Sequence, residues 1–176
     1  MKTNVYIGTS LDGFIAREDG NIDWLEQFAN DEAFSAYGEF IKKIDAMLIG
    51  RGTFEKVLTF SPWPYTKPVF VLSSGIKEVS DALKDKVTLL SIPPKEALRY
   101  LSQRGFNNIY VDGGKVIQSF LREDLIDELI ISTLPVLIGS GIPLFGRLDF
   151  DLLFRHMRTE TCSNGLVRSY YERKRK

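Results

Sequence analysis

Apolar residues in this chain fall into short unbroken runs that end at small residues and open into helical spacing. Ala46-Met47-Leu48-Ile49 ends at Gly50, after which Gly50-Arg51-Gly52-Thr53-Phe54-Glu55 begins a helical turn, and Val69-Phe70-Val71-Leu72 runs into Ser73-Ser74-Gly75. Runs of this kind without polar alternation mark strands buried on both faces. Val5-Tyr6-Ile7 and Phe14-Ile15-Ala16 flank Ser10-Leu11-Asp12-Gly13 and read as strand, turn and second extended piece. Arg17 to Asn30, with Asp19-Gly20-Asn21 and the exposed-looking Trp24, reads as an irregular covering segment. From Asp31, residues Phe34, Tyr37, Ile41 and Ile44 share one helical face behind Asn30 as cap.

Ser61-Pro62-Trp63-Pro64 stops the helix begun at Gly50, and Val87-Thr88-Leu89-Leu90 is the next strand. Pro94 opens a helix that carries Ala97, Leu98 and Leu101 to the core and closes near Gly105. It feeds Asn108-Ile109-Tyr110-Val111-Asp112, a strand that meets Gly113-Gly114 and passes directly into another helix. Leu129 to Leu134 is a further strand, leading through Pro135-Val136-Leu137-Ile138 to Gly139-Ser140-Gly141. Phe154 to Thr161 and Leu166 to Glu172 flank Ser163-Asn164-Gly165, and Asn-Gly between extended runs signals a hairpin. Alternating strands and helices that end in a hairpin predict a single domain over residues 1–176, with a mixed sheet covered on both faces.

Composition supports one core: 176 residues, 44% of them hydrophobic and 26% charged. Lys plus Arg and Asp plus Glu balance at 23 each, which disfavours nucleic acid and acidic membranes as partners. The basic end Arg173-Lys174-Arg175-Lys176 reads as solvated. Cys162 is the only cysteine and His156 the only histidine, so an intrachain disulfide, a thiolate cluster and a histidine-based metal site are excluded. His156 reads as a strand residue of the hairpin. The first residues lack the apolar length of a signal peptide, and no run is long enough to span a membrane. A soluble protein of the reducing cytoplasm is expected.

Chemistry concentrates at strand ends. Gly8-Thr9-Ser10, Gly50-Arg51-Gly52-Thr53, Ser73-Ser74-Gly75 and Asp112-Gly113-Gly114 each follow a strand, and in an open parallel sheet such ends line one edge. Gly113-Gly114 reads either as a tight turn or as a phosphate cradle, because glycines let a ligand approach the backbone and a helix's first amides attract anions. Arg51 would add a guanidinium fork, and Thr53, Ser73 and Ser74 would add hydroxyls. Together these groups suit a phosphorylated nucleotide.

These residues also carry a family resemblance across nearly the whole chain. Gly50-Arg51-Gly52-Thr53-Phe54-Glu55, Ser73-Ser74 and Asp112-Gly113-Gly114, at their spacings, resemble the dihydrofolate reductase fold. Ser10-Leu11-Asp12-Gly13 with Gly20 and Trp24, and Asp127-Glu128-Leu129 through Gly139-Ser140-Gly141, are similar to its relative, the reductase domain of bacterial riboflavin biosynthesis. The resemblance implies a three-layer α/β/α fold with a central, mostly parallel mixed sheet. It implies an NADPH-dependent reductase of a small heterocyclic, pteridine- or pyrimidine-like substrate, working as a homodimer. The chain has no zinc ligands for the deaminase domain that such relatives often carry, so a stand-alone reductase is expected.

By position, the resemblance assigns Gly50, Arg51, Gly52 and Thr53 to the adenosine-side phosphates and Ser73 with Ser74 to the 2′-phosphate. It assigns Gly113, Gly114, Lys115, Val116 and Ile117 to the pyrophosphate and nicotinamide side. Thr9 and Trp24 line the nicotinamide, with Arg17 to Asn30 as a lid, and a cis peptide is implied between Gly113 and Gly114. Hydride transfer needs a proton source, and Asp112 is the first candidate carboxyl, matching an acidic substrate contact of the riboflavin-pathway reductases. Asp31 is the second, near the helix carboxylate of dihydrofolate reductases, although an acid also suits a helix start for structural reasons. Asp12, before Gly13, most simply shapes a turn. A noncatalytic nucleotide-binding or dimeric interaction protein that retains the fold is the alternative.

Overall fold

A computed structural model describes residues 1–175. In chain order its elements are β1 (Lys2–Thr9), β2 (Phe14–Ala16), α1 (Asp23–Glu26), α2 (Asp31–Lys42), β3 (Ala46–Gly50), α3 (Arg51–Val57) and β4 (Val69–Leu72). A single 3-10 turn (Asp81–Leu83) precedes β5 (Val87–Leu90), α4 (Pro94–Ser102), β6 (Asn108–Asp112) and α5 (Gly114–Arg122). The chain closes with β7 (Glu128–Thr133), β8 (Ile142–Pro143), β9 (Phe154–Thr161) and β10 (Val167–Arg173).

Eight strands form one sheet in the order β5-β4-β3-β6-β1-β7-β10-β9. The first six run parallel, and β10 and β9 join as the antiparallel hairpin expected around Asn164-Gly165. Side chains alternate between faces along a strand, so two cores result. On one face Val5, Leu48, Ile109 and Val111 pack under α4 and α5 through Ala97, Leu101, Ile117 and Phe120. On the other, Met47, Ile49, Val71 and Tyr110 pack under α2 and α3 through Phe40, Ile44 and Phe54. Asp112 follows Tyr110 by two residues and therefore lies on the α2 face.

Several expectations are corrected. Trp24 is only 3% exposed: the turn α1 seats it against Leu134, Cys162 and Leu166, which are brought in from more than a hundred residues away. Phe34 is 66% exposed, at the flank of the stripe formed by Tyr37, Phe40, Ile41 and Ile44. The first turn of α2 is tied instead to the hairpin tip, where Ser163 N–H and Oγ donate to Glu32. The basic end is not loose. Arg173 donates two hydrogen bonds to Asp124, at 2.6 and 3.0 Å, and Arg175 pairs with Asp127. Lys176 lies outside the described residues. β2 pairs with β8 in a separate two-stranded sheet. Among the described residues no helix is long and apolar enough to cross a membrane.

Candidate active site

Three of the strand-end turns touch one another. Gly113 has φ +96°, a conformation that L side chains rarely adopt, and a Cβ on it would lie 2.5 Å from Thr53 Oγ1 and 3.5 Å from the Gly50 nitrogen. Gly50 in turn faces Val116 Cγ2, 3.0 Å from its would-be Cβ, so the β3–α3 and β6–α5 turns are pressed together. On the other side, a Cβ on Gly75 would come within 3.0 Å of Arg51 Nη1, which sets the Ser73-Ser74-Gly75 turn against α3. The edge thus reads Ser73–Gly75, Arg51, Thr53, Gly113 without a gap.

The peptide between Gly113 and Gly114 is trans, contrary to the resemblance; the single cis bond among the described residues joins Ser61 to Pro62. The positive φ of Gly113 is enough to turn the strand into α5. Ile117 donates its N–H to Gly113 O at 2.9 Å, leaving the amides of Gly114, Lys115 and Val116 ahead of the first helical bond. The side chains of Val116 and Ile117 belong to the core, so this turn offers a ligand backbone N–H groups. Gly114 is covered by Ile15 of β2 and Ile142 of β8, whose atoms would lie 3.0 and 3.1 Å from a Cβ. Gly52 faces open space.

Arg51 is exposed and pairs with Glu55 at 2.7 Å. Ser73 Oγ accepts from the amides of Gly75 and Ile76, at 3.1 and 3.2 Å, and shapes the turn. Ser74 is exposed, and its carbonyl accepts from Lys77 Nζ at 3.3 Å. Lys77, which the sequence did not single out, brings a second cation to this corner.

Asp112 is half-buried at the end of β6. Burial pushes its carboxyl up to about 6, opposed by a hydrogen bond from Gly113 N–H. Burial, and after it the Asp112 charge, holds the phenols of Tyr37 in α2, Tyr65 in the loop after α3 and Tyr110 in β6 above their ordinary value. Tyr110 donates to Tyr6 O at 2.8 Å, whereas among the described residues Tyr37 and Tyr65 make no hydrogen bond through their hydroxyls. The rings are fixed by edge contacts: Tyr37 lies 6.4 Å from Tyr110, Tyr65 lies 5.4 Å from Trp63, and Trp63 lies 6.4 Å from Phe54. Tyr65 was hidden in Ser61-Pro62-Trp63-Pro64-Tyr65, which signals only a helix stop.

Asp31 is exposed at the first position of α2, about 9 Å up the helix from Tyr37 at ~1.5 Å per residue. Thr9 is buried at the end of β1, in register with Thr133. Among the described residues Trp24 Nε1 is buried without a partner inside its apolar cluster, so the ring is core and ties the Arg17 to Asn30 segment to Leu134, Cys162 and Leu166. Asp12 clasps a loop: Ser10 Oγ donates to it at 2.5 Å and Gly139 N–H at 2.8 Å, and these bonds hold its carboxyl below the usual range. A groove of about 490 Å³ lined by Asn4, Phe40, Glu128 and Tyr170 lies under α2 toward the opposite ends of the strands.

Residues 2–168 match the family model of the RibD C-terminal domain. The chain belongs to that family. A solved structure of a Shewanella sp. PV-4 protein, provisionally assigned to riboflavin biosynthesis by its name, is 43% identical, with a TM-score of 0.92 over 99% of this chain and 100% of the other. A Thermotoga maritima deaminase and 5-amino-6-(5-phosphoribosylamino)uracil reductase is 18% identical, with a TM-score of 0.74 over 98% of this RibD C-terminal domain and 56% of that longer chain. Dihydrofolate reductase from Enterococcus faecalis, complexed with NADP(H), has a TM-score of 0.70 at 16% identity over 99% of this chain and 97% of its own. The fold is therefore dihydrofolate reductase-like, a mixed sheet ending in an antiparallel hairpin.

Proposed function

We propose that this protein is an NADPH-dependent reductase that delivers hydride to a small heterocyclic substrate, pteridine- or pyrimidine-like. The observation that carries the reading is the unbroken edge from Ser73 through Arg51 and Thr53 to Gly113, with the half-buried Asp112 at its end. Its donor set suits a phosphorylated dinucleotide: two cations and a free hydroxyl at one corner, then bare backbone amides at the N-terminus of a nine-residue helix.

Arg51, Ser74 and Lys77 would hold the adenosine-side phosphates, and the amides of Gly114, Lys115 and Val116 the pyrophosphate. NADPH, when bound, supplies hydride from its reduced nicotinamide. Gly113 lets the β6–α5 turn close against Thr53 and Gly50, which brings the two turns to one edge. Asp112, poised near neutrality, can hold a proton at its carboxyl and pass it to a ring nitrogen as hydride arrives.

Cofactor binding tests this reading directly. Titration of the protein with NADPH, followed through tryptophan fluorescence, should saturate, and Arg51→Ala should weaken NADPH more than NADH. No binding at millimolar NADPH would end the reading. The same proposal has the protein acting as a cytoplasmic homodimer, with the exposed Phe145, Phe150, Leu153 and Met157 as apolar surface for the contact. A monomeric mass by light scattering would remove that part.

A further inference from the structure

The groove under α2 stands apart from the nucleotide edge. That edge follows the ends of β3, β4 and β6, whereas the groove of about 490 Å³ begins at Lys2, Asn108 and Glu128, the first residues of β1, β6 and β7. Asn4 and Ile130 lie on its sheet side, Ala36 and Phe40 belong to the α2 wall, and Arg158 and Tyr170 to the hairpin wall. Its size is that of a small-molecule site.

Asn4 is only 4% exposed, and the backbone orients its carboxamide: Nδ2 donates to Ile109 O at 3.3 Å and lies 3.5 Å from Lys2 O. Both neighbours are acceptors, so the opposite orientation of the amide would set oxygen against oxygen. Oδ1 is left over. Among the described residues neither it nor the hydroxyl of Tyr6, two positions along the same face of β1, has a hydrogen-bond partner. Neither atom is sealed off, because the buried side-chain atoms without partners there are the indole nitrogens of Trp24 and Trp63. Both residues line the groove. The fold therefore fixes an acceptor in direction and leaves a rotatable donor beside it.

The walls suit a flat, uncharged molecule. The Tyr6 ring lies 4.9 Å from Phe40, and the Arg158 guanidinium stacks 3.8 Å over the Tyr170 ring. The acids are already paired: Glu128 with Lys2 at 2.6 Å, Glu39 with Lys42 at 2.5 Å, and Glu160 with Arg158 at 3.1 Å and the Tyr170 hydroxyl at 2.8 Å. A cationic ligand would find no free carboxylate among them. Lys43 is the C-cap of α2, where the helix's own carbonyls already draw its charge. We propose that this groove is a second ligand site, which takes an uncharged planar lactam ring. The ring N–H donates to Asn4 Oδ1, the adjacent ring carbonyl accepts from the Tyr6 hydroxyl, and the ring packs among Phe40, Ile130 and Tyr170.

The test is an NMR titration of the full chain, followed through its backbone amides, with 2-quinolone and with 1-methyl-2-quinolone, which lacks the N–H. The first should bind saturably, at least about tenfold more tightly than the second, and should shift the amides around Asn4, Tyr6 and Phe40. Tyr6→Phe keeps the ring and should weaken 2-quinolone roughly three- to tenfold, the effect of one lost hydrogen bond. Ala36→Trp, which fills the groove from the helix side, should abolish binding. Millimolar NADPH should leave 2-quinolone affinity unchanged, whether or not NADPH itself binds at its edge, so the site stands or falls apart from the reductase reading. No saturable binding at millimolar 2-quinolone, equal binding of the two quinolones, displacement by NADPH, or binding indifferent to both variants would overturn the proposal. So would a dimer that Ala36→Trp dissociates without any quinolone binding in the wild type, because the groove would then be filled by a second copy of the chain.

Discussion

Gly113 and Thr53 occupy each other's space: the Thr53 hydroxyl oxygen stands 2.5 Å from the point where a Gly113 side chain would begin. A methyl there meets both that oxygen and the penalty of φ +96° for an L residue. Gly113→Ala should therefore destabilise the protein by about 2–4 kcal/mol. In a Thr53→Ala background the clash is relieved and only the backbone strain remains, about 1–2 kcal/mol. Urea unfolding of the four members of this cycle measures the difference.

Asp112 ties stability to pH. Its native carboxyl titrates at about 6 against an ordinary 3.8, so the folded state holds the proton more tightly than the unfolded chain. The stabilisation is complete below pH ~4 and is lost as pH rises through about 6, leaving an ionised group in a half-buried position at neutral pH. Asp112→Asn should raise stability above that window by about 1–3 kcal/mol, with little effect near pH ~4. Melting temperatures of both proteins across this range, diverging as pH rises, would match; parallel curves would contradict it.

At the opposite corner, Arg51 and Lys77 flank Ser74. The Arg51–Glu55 pair is exposed on both sides, so its loss should change stability by less than ~1 kcal/mol. Arg51→Ala and Lys77→Ala should each weaken NADPH by about tenfold, in line with one charge-assisted contact, and NADH by less. Paired titrations with the two cofactors give the comparison.

Arg173 is a structural cation: its side chain is 9% exposed and clasps Asp124, itself in the left-handed region at φ 54°. Arg173→Ala should cost about 2–3 kcal/mol, because it removes both hydrogen bonds from the partly covered Asp124 carboxylate, whereas the Leu153 carbonyl keeps its bond from Lys174 N–H. Denaturant midpoints of the two proteins test it.

The fold was legible because its signals are local. Unbroken runs such as Ala46–Ile49, the cap at Asn30 and Asn164-Gly165 each specify an element from a few neighbouring residues, and the structure has all three. The strand-end turns were legible for the same reason, and parallel strands then place them on one edge. Trp24 misled because its covering partners Leu134, Cys162 and Leu166 lie far away in sequence. Tyr37 and Tyr65 went unnoticed as site residues because a tyrosine on an apolar helix face and one after a Pro-Trp-Pro turn each look like ordinary packing. Only folding brings both within reach of the Asp112 charge. The basic end looked solvated because Asp124 and Asp127 approach Arg173 and Arg175 across the sheet.

The central claim is reduction by NADPH at the edge that Asp112 terminates. The most direct measurement is the loss of NADPH absorbance when wild type and Asp112→Asn are offered pteridines, pyrimidine diones and quinones under identical conditions. The account predicts turnover of a ring substrate by wild type and a loss of about a hundredfold or more in Asp112→Asn, with NADPH still bound. NADPH left unoxidised across the panel, or equal turnover by both proteins, would contradict it.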